Sequence, residues 1–271
     1  MKTIDKDVLD SYNTGKEKGR LHKGIGLVEF ERTKEILTEM LPSPPAVIYD
    51  IGGGYGEYSY YLGSLGYDVY LYDIAEKNIE MSYELAQEYG VTIKCAEVAD
   101  ARSIGRPDES ADAILLFGPM YHIMEKDERR LCLRECFRLL KKGGILFTAG
   151  ITKFATALKY VCAYDYKPMI DDDEFYKGLE MEVKTGIHTK KPMGLAKFFD
   201  PKELGSEIES AGFIDVDLRG IMGPTTAIRN LDEAWQNEKK RESIMRIVRL
   251  FEKEESIMGL STHFLVISRK E

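Results

Sequence analysis

Four glycines crowd the five positions Gly52-Gly53-Gly54-Tyr55-Gly56, with Asp50 just before them and two further aspartates at Asp73 and Asp100. Glycine lets a backbone turn sharply and come close to a ligand. A dinucleotide-binding turn needs G-x-G-x-x-G, whose third glycine allows close helix–strand packing. Counted from Gly52 that third place is Glu57, and counted from Gly54 it is Ser59. Neither fits, and Asp50 would repel a pyrophosphate. The stretch instead reads D-x-G-x-G-x-G, with Gly53 inside it, and an acid beside such a loop suits a positively charged ligand. Asp73 lies 23 residues after Asp50, where a carboxylate can accept both hydroxyls of a ribose. Asp100 follows in "VADARSI" and can meet an adenine amino group. The three acids together ask for a nucleoside that carries a cation.

The elements that must hold these residues can be read from the pattern. "AVIYDI", "YDVYLYDI", "VTIKCAEV", "ADAILLFG" and "ILFTAGI" are short apolar runs expected to be strands. Between them lie helical stretches at "YSYYLGSLG", "AEKNIEMSYELAQEYG" and "KDERRLCLRECFRLLKKGG". Strands alternating with helices predict an α/β, doubly wound sheet, because each parallel crossover needs a covering helix. Residues 1–45 read as an N-terminal helical segment over the ligand site, in which "GLVEFERTKEILTEML" is a helix stopped by "PSPP". Residues 152–200 break the rhythm and are too long for a plain connection, so they read as an inserted cap over a pocket. The rhythm resumes in 201–271 with a helix, the strand "FIDVDLRGI", a charged helical stretch and the last strand "THFLVISRK". Residues 46–151 and 201–271 form the core, and the whole is a single domain.

Composition narrows the partners. The 271 residues carry a net charge of −8, with 46 acids against 38 Lys plus Arg, and 44% are hydrophobic. This is enough for a large core. An acidic chain without a basic tract is a poor tracker of a phosphate backbone, so a small molecule is expected and no nucleic acid. No apolar run reaches the ~18 residues of a membrane span, and the first residues lack the apolar stretch of a secretion signal. Cys132 and Cys136 stand one helical turn apart without a histidine nearby, and there is no CxxC pairing. No metal site and a cytoplasmic location are expected.

The stretches "VIYDIGGGYG", "LYDI", "VADARSI", "DAILLFGPMYHI", "CFRLLKKGGILF" and "HFLVISRK" together resemble the class I methyltransferases that use S-adenosylmethionine, a nucleoside with a sulfonium and an ammonium. Within that class the chain is most similar to the small-molecule group that includes ubiquinone- and menaquinone-biosynthesis enzymes. The resemblance implies a Rossmann-like seven-stranded sheet of order 3-2-1-4-5-7-6 with the last strand antiparallel. It implies that Gly52, Gly54 and Gly56 line the methionine side and that Asp73 holds the ribose. Ile74 would then pack on adenine, Asp100 and Ala101 would meet its edge, and Phe117 and Gly118 would lie beneath the sulfonium. The long cap departs from the family motif, which gives no guidance there.

Methyl transfer asks for alignment and exclusion of water, and for a base only when the nucleophile must lose a proton. His122 in "GPMYHI" could be that base or a structural imidazole, and Tyr121 could line the acceptor pocket or face a cation. His188 in the cap could touch the acceptor, and Phe154, Tyr164, Phe198 and Phe199 could shape its pocket or fill the cap's core. Arg32 and Tyr12, in the N-terminal helices, are candidates for the cofactor's methionine end, with an ion pair to Glu29 or Glu35 the competing role for Arg32. The sequence therefore points to an enzyme moving a methyl group from S-adenosylmethionine to an unidentified small-molecule acceptor, as a monomer or homodimer. The alternative is a protein that binds the cofactor without transfer, such as a sensor or assembly subunit.

Overall fold

The computed structural model describes residues 18–162, 173–189 and 193–271. Seven strands form one sheet: β1 (Val47–Ile51), β2 (Asp68–Asp73), β3 (Cys95–Val98), β4 (Ala111–Leu116), β5 (Leu140–Ile151), β6 (Ile214–Gly220) and β7 (His263–Arg269). Their order is 3-2-1-4-5-7-6. β1 to β5 run parallel, and β7 lies antiparallel between β5 and β6. This is the expected sheet, and no helix among the described residues is long and apolar enough to cross a membrane.

The central strands β1 and β4 are buried on both faces, which is why they read as apolar runs. Successive side chains of a strand point to opposite faces. Tyr49, Ile114, Leu116, Leu146, Phe264 and Val266 accordingly join one core, while Ile48, Ala113, Leu115, Phe147, Leu265 and Ile267 join the other. Helices cover the two faces: α1 (Ile25–Met40), α2 (Glu57–Ser64), α3 (Glu76–Tyr89), the single turn α4 (Pro119–His122), α5 (Lys126–Leu139) and, after the cap, α8 (Pro201–Glu209). Gly90 ends α3 in the left-handed conformation, φ +62°.

Three boundaries differ from the sequence reading. β3 spans four residues, beginning at Cys95 rather than Val91. The helix expected to run to Gly144 stops at Leu139, and Leu140 already pairs with Ala111 at the start of β5. The buried Leu140 side chain is satisfied by the sheet, so the strand takes over the "LKKGG" segment. The charged stretch after β6 divides at Asn237, whose side chain accepts from the Lys240 N–H and starts α10 (Glu238–Phe251) after the short α9 (Leu231–Gln236). Leu231, Trp235, Ile244, Met245 and Val248 of these helices pack with Val28 of α1 into a third cluster.

The segment read as a cap contains α6 (Ala155–Cys162) and α7 (Asp173–Thr185), followed by a small antiparallel ladder of Ile187–His188 with Ala196–Lys197. Its root is fastened to the core where Thr152 bridges Phe199.

Candidate active site

The carboxyl ends of β1, β2, β3 and β4 open on one edge, and the chain reverses direction of winding between β1 and β4. Crevices at such switch points are where open α/β sheets bind ligands. A cavity of about 720 Å³ lies there and continues beneath the cap.

The glycine loop leaves β1 with Gly52 and Gly53 both donating to the Tyr72 carbonyl, at 2.7 and 3.3 Å. Gly52 has φ +75°, and a Cβ on it would sit 2.4 Å from Pro119 Cδ. The loop after β4 therefore packs directly on the loop after β1, and only glycine satisfies both the conformation and the contact. Asp73, at the end of β2, ties the turn together. Its Oδ2 accepts the Gly54 N–H at 2.9 Å, while Oδ1 accepts from the Ala75 N–H at 2.9 Å and from Asn78 Nδ2 at 3.0 Å. Burial raises the Asp73 pKa, opposed by these donors.

Gly52, Gly53, Gly54, Asp73, Ile74, Asp100, Ala101, Phe117 and Gly118 all line the cavity. For Asp100, burial works to raise the pKa but hydrogen bonds from Arg102 outweigh it, and the carboxyl is held below its usual value. Arg102 reaches it through Nε at 2.9 Å and Nη2 at 2.5 Å, and anchors to Glu128 at 2.6 Å. Phe117 meets the Tyr58 ring edge-on at 5.3 Å, and Tyr58 in turn packs against Phe30 of α1.

Three of the expected contacts are corrected: Asp50, Gly56 and Arg32 do not line the cavity. Asp50 is fully buried behind Gly53, where a Cβ would meet its carboxyl at 2.4–2.5 Å, and it accepts from Ser59 Oγ at 2.7 Å. Gly56 is also set back, with φ +95°, as the residue that opens α2. Both hold the loop's shape.

Asp50 carries a pH signature. Burial, with a smaller push from the Asp73 charge, raises its pKa to about 7. A carboxyl whose folded pKa is raised contributes stability that is full below the unfolded value near 3.9 and lost as pH rises towards 7. Asp50→Asn removes this loss. The melting temperature of the variant relative to the unmodified chain should climb between pH 4 and pH 7 and level off above, and a pH-independent difference in calorimetric melting would refute the assignment.

Arg32 is the third, and of its two expected roles the structure shows the ion pair with Glu35. It lies outside the cavity, with Nε on Glu252 at 2.6 Å, Nη2 on the same carboxylate at 3.1 Å and Nη1 on Glu35 at 2.6 Å. The guanidinium is buried and fully engaged, so it fastens α1 to the segment after α10 instead of meeting a ligand. Tyr12 and Tyr164 lie outside the described residues. Glu29, offered as a partner for Arg32, instead takes Arg20 through two bonds at 2.6 and 2.9 Å, and His263 at 3.2 Å. Arg20, Leu21, Ile25, Glu29 and Thr33 all face the cavity, so residues near the start of α1 roof the glycine loop. The Tyr55 hydroxyl accepts the Gly19 N–H at 2.9 Å and fixes that roof.

Tyr121 and His122, from α4, line the cavity between the strand edge and the cap. Burial pushes the His122 imidazole down to about 4, so it is neutral at physiological pH. Any rate limb from this ring lies near pH 4. His122→Gln should therefore leave the shape of the pH–rate profile above pH 6 unchanged, and a limb near pH 6.5 that vanishes in the variant would overturn the assignment.

At the cap end the walls are Ile151, Ala155, Thr156, Tyr160, Met193 and Phe198, with Lys159 and His188 as polar groups. Phe198 thus meets the pocket, whereas Phe199 is fully buried under Arg129 and Phe154 lies against Gly259 outside the lining. Sequence reasoning gave Glu29 only as a partner for Arg32 and passed over Asn78 and Thr156, all three of which line the cavity. Asn78 had a local signal, five residues after Asp73 in the first turn of a helix; the others meet the site through distant elements.

Comparison with known proteins accords with this geometry. A family model described as a methyltransferase domain matches residues 49–148, the span from the glycine loop to β5. Residues 49–148 of the chain thus resemble a methyltransferase domain. The ubiquinone biosynthesis O-methyltransferase of Caulobacter vibrioides is 31% identical over 117 residues, which cover 43% of this chain and 45% of that one. A ubiquinone/menaquinone biosynthesis C-methyltransferase of Yersinia enterocolitica is 27% identical over 195 residues, covering 67% of this chain and 71% of that one. The chain thus spans about half the length of the first of these relatives. A solved S-adenosylmethionine-dependent methyltransferase of Methanosarcina mazei superposes with a TM-score of 0.55 at 21% identity, covering 87% of this chain and 96% of the other. That likeness is one of fold. The methyltransferase domain places its glycine loop and acidic strand ends on the edge where the cavity opens.

Proposed function

We propose that this chain transfers a methyl group from S-adenosylmethionine to a small-molecule acceptor held under the cap. The observation that carries the reading is the continuity of the cavity. One end is built from Gly52 to Gly54, Asp73 and Asp100, and the other from apolar cap residues, with Tyr121 and His122 between them. The residues fit the cofactor: Asp73 offers acceptors to ribose hydroxyls, Ile74, Ala99 and Ala101 offer an apolar bed for a base, and Glu57 and Asp73 put acidic groups beside the glycine loop for a cation.

Bound S-adenosylmethionine supplies a methyl group activated by the sulfonium. The chain's part is to align the acceptor and keep water out. Gly118, with a Cβ position only 3.1 Å from the Gly52 carbonyl, keeps the two loops close. We read Tyr121 and His122 as the wall of the transfer path. Net charge −8 favours a metabolite over nucleic acid. The free cysteines Cys95, Cys132, Cys136 and Cys162 support work in a reducing cytoplasm, as a monomer or homodimer.

Calorimetry tests the first step: S-adenosylhomocysteine should bind and NAD should not. Production of S-adenosylhomocysteine with an acceptor panel tests the second. A tighter isotherm for NAD would refute the reading, and binding without turnover on any acceptor would leave a cofactor-binding protein.

A further inference from the structure

Glu29 of α1 joins the roof of the glycine loop to the far wall of the cavity. The residue is 6% exposed, and its Oε2 accepts from Arg20 Nη1 at 2.6 Å. Its Oε1 accepts from Arg20 Nη2 at 2.9 Å and lies 3.2 Å from His263 Nδ1. Burial works to raise the pKa of this carboxyl, but Arg20 and His263 outweigh it and hold the group well below the usual carboxylate range. One ionised side chain thus fixes both the roof and an imidazole. Of the two nitrogens of that ring, the described residues engage Nδ1 alone.

The fold puts His263 on the edge of the sheet where the cavity opens. It begins β7 and pairs with Ile151 at the end of β5. Its carbonyl accepts from the Ser261 hydroxyl at 2.5 Å and from the Ile221 N–H at 3.3 Å, so the start of the strand is fixed. Only β5 separates β7 from β4, which makes two strand spacings or roughly 10 Å. Phe117 and Gly118 just past β4, Ala149 and Ile151 at the end of β5, and His263 all line the cavity. An acceptor lying over the end of β5 therefore meets the loop after β4 on one side and His263 on the other.

We propose that His263 is a catalytic residue of the transfer and Glu29 its positioning residue. His263 Nε2 takes the proton carried by the acceptor's nucleophilic atom, whether that atom belongs to a hydroxyl, a thiol or an ammonium group. This rests on methyl transfer being the activity of the site. A carboxylate that accepts from Nδ1–H leaves the basic pair on Nε2 and compensates the charge formed when Nε2 is protonated. In the step, the bond from the nucleophilic atom to hydrogen breaks and its proton goes to Nε2. The electron pair left behind forms the new bond to CH₃ as the S–CH₃ bond breaks, and the pair of that bond stays on sulfur. The imidazolium then returns its proton to water. The two other histidines of the cavity are placed differently. Burial holds His122 near 4, and His188 is bonded to Glu182 at 2.8 Å across the Gly186 turn of the cap.

The test uses the full chain with S-adenosylmethionine and three probes, catechol, thiophenol and benzylamine, which present the three kinds of proton. On the probe methylated fastest, His263→Ala should lower kcat by ~10²–10⁴-fold, the range of a positioned base. Affinity for S-adenosylhomocysteine should stay within about twofold, as expected of a residue apart from the cofactor end. Imidazole added to His263→Ala should restore the rate by about tenfold or more, since a free ring can enter the space and take the same proton. A ring that merely packed the strand would not be replaced in this way. Glu29→Gln should lower kcat by about tenfold or more with a smaller change in KM, and imidazole should not help it because His263 still fills the place. Nitrogen-15 NMR of labelled histidine in alkaline buffer reads the tautomer without turnover, and His263 should carry its proton on Nδ1. If His263→Ala does not fold, His263→Gln fills more of the space, can still bond Glu29 and carries the same kcat measurement. A folded His263→Ala that loses transfer without rescue would make the ring structural and overturn the proposal. So would a variant within about threefold of the unmodified rate, a proton on Nε2, or a cofactor-binding chain that methylates none of the probes. A chain that fails to bind S-adenosylhomocysteine would instead overturn the methyl-transfer reading itself.

Discussion

Replacing Asp73 with alanine should weaken S-adenosylhomocysteine binding by about 100-fold or more. A hydrogen bond to a charged group is worth roughly 1.5–3 kcal/mol, and each 1.4 kcal/mol is a factor of ten. Contacts to the ribose alone would give roughly ten- to a hundredfold. The structure adds a second loss, because the same carboxylate accepts the Gly54 N–H and two donors from the start of α3. Without it the glycine loop loses the anchor that sets its distance from β2. Asparagine should be nearly as harmful as alanine. Both carboxylate oxygens face donors, so the amide must aim its own N–H₂ at Gly54 or at Ala75 and Asn78. The measurement is calorimetry on the folded variants, with circular dichroism as the control for folding. An Asp73→Ala protein that binds within about threefold of the unmodified chain would remove Asp73 from the site.

The contrast between Asp73 and Arg32 shows what a sequence reveals. Asp73 is placed by local rules: a short apolar strand, its carboxyl end and the helix that follows. The same rules gave the strands, because parallel strands buried on both faces have the composition of β1, β2 and β4, while the order of the sheet came from the resemblance to the methyltransferase class. Arg32 could not be assigned that way. Its partner Glu252 is 220 positions away in the chain, on a segment brought to α1 by the packing of Val28 with Trp235 and Val248. A guanidinium near a pocket reads alike whether it meets a ligand or another helix. Asp50 was legible as an acid of the loop, but not the side of the backbone it occupies, which depends on Ser59 one helix on. His188 stood out as a histidine in the cap. Glu182 did not, since one glutamate on an acidic helix carries no mark until the Gly186 turn folds it back.

The largest effect on stability is expected at Arg129. Its Nε and Nη2 hold both oxygens of Glu207, at 2.8 and 2.6 Å, and the two residues are 3% and 8% exposed. Its Nη1 donates to the carbonyls of Ile123 and Met124 at 3.1 and 2.7 Å, closing the loop that follows Tyr121 and His122. The guanidinium also lies 5.3 Å from the Phe199 ring centre, at the root of the cap. Arg129→Ala leaves a carboxylate buried without its partner and two carbonyls without a donor. Removing one member of a buried pair costs about 3–5 kcal/mol, which corresponds to roughly 6–20 °C in melting temperature for a chain of this size. Replacing the pair together, Arg129→Met with Glu207→Leu, should recover part of that loss, because no charge is then stranded, though the carbonyls remain unsatisfied. The loop should be looser in both proteins, so methyl transfer should fall further than affinity for S-adenosylhomocysteine. Urea denaturation of the single and double variants decides the matter. A single variant destabilised by less than about 1 kcal/mol would place this contact with the weak surface pairs, and the loop would then owe its shape to the packing of Pro119 on Gly52.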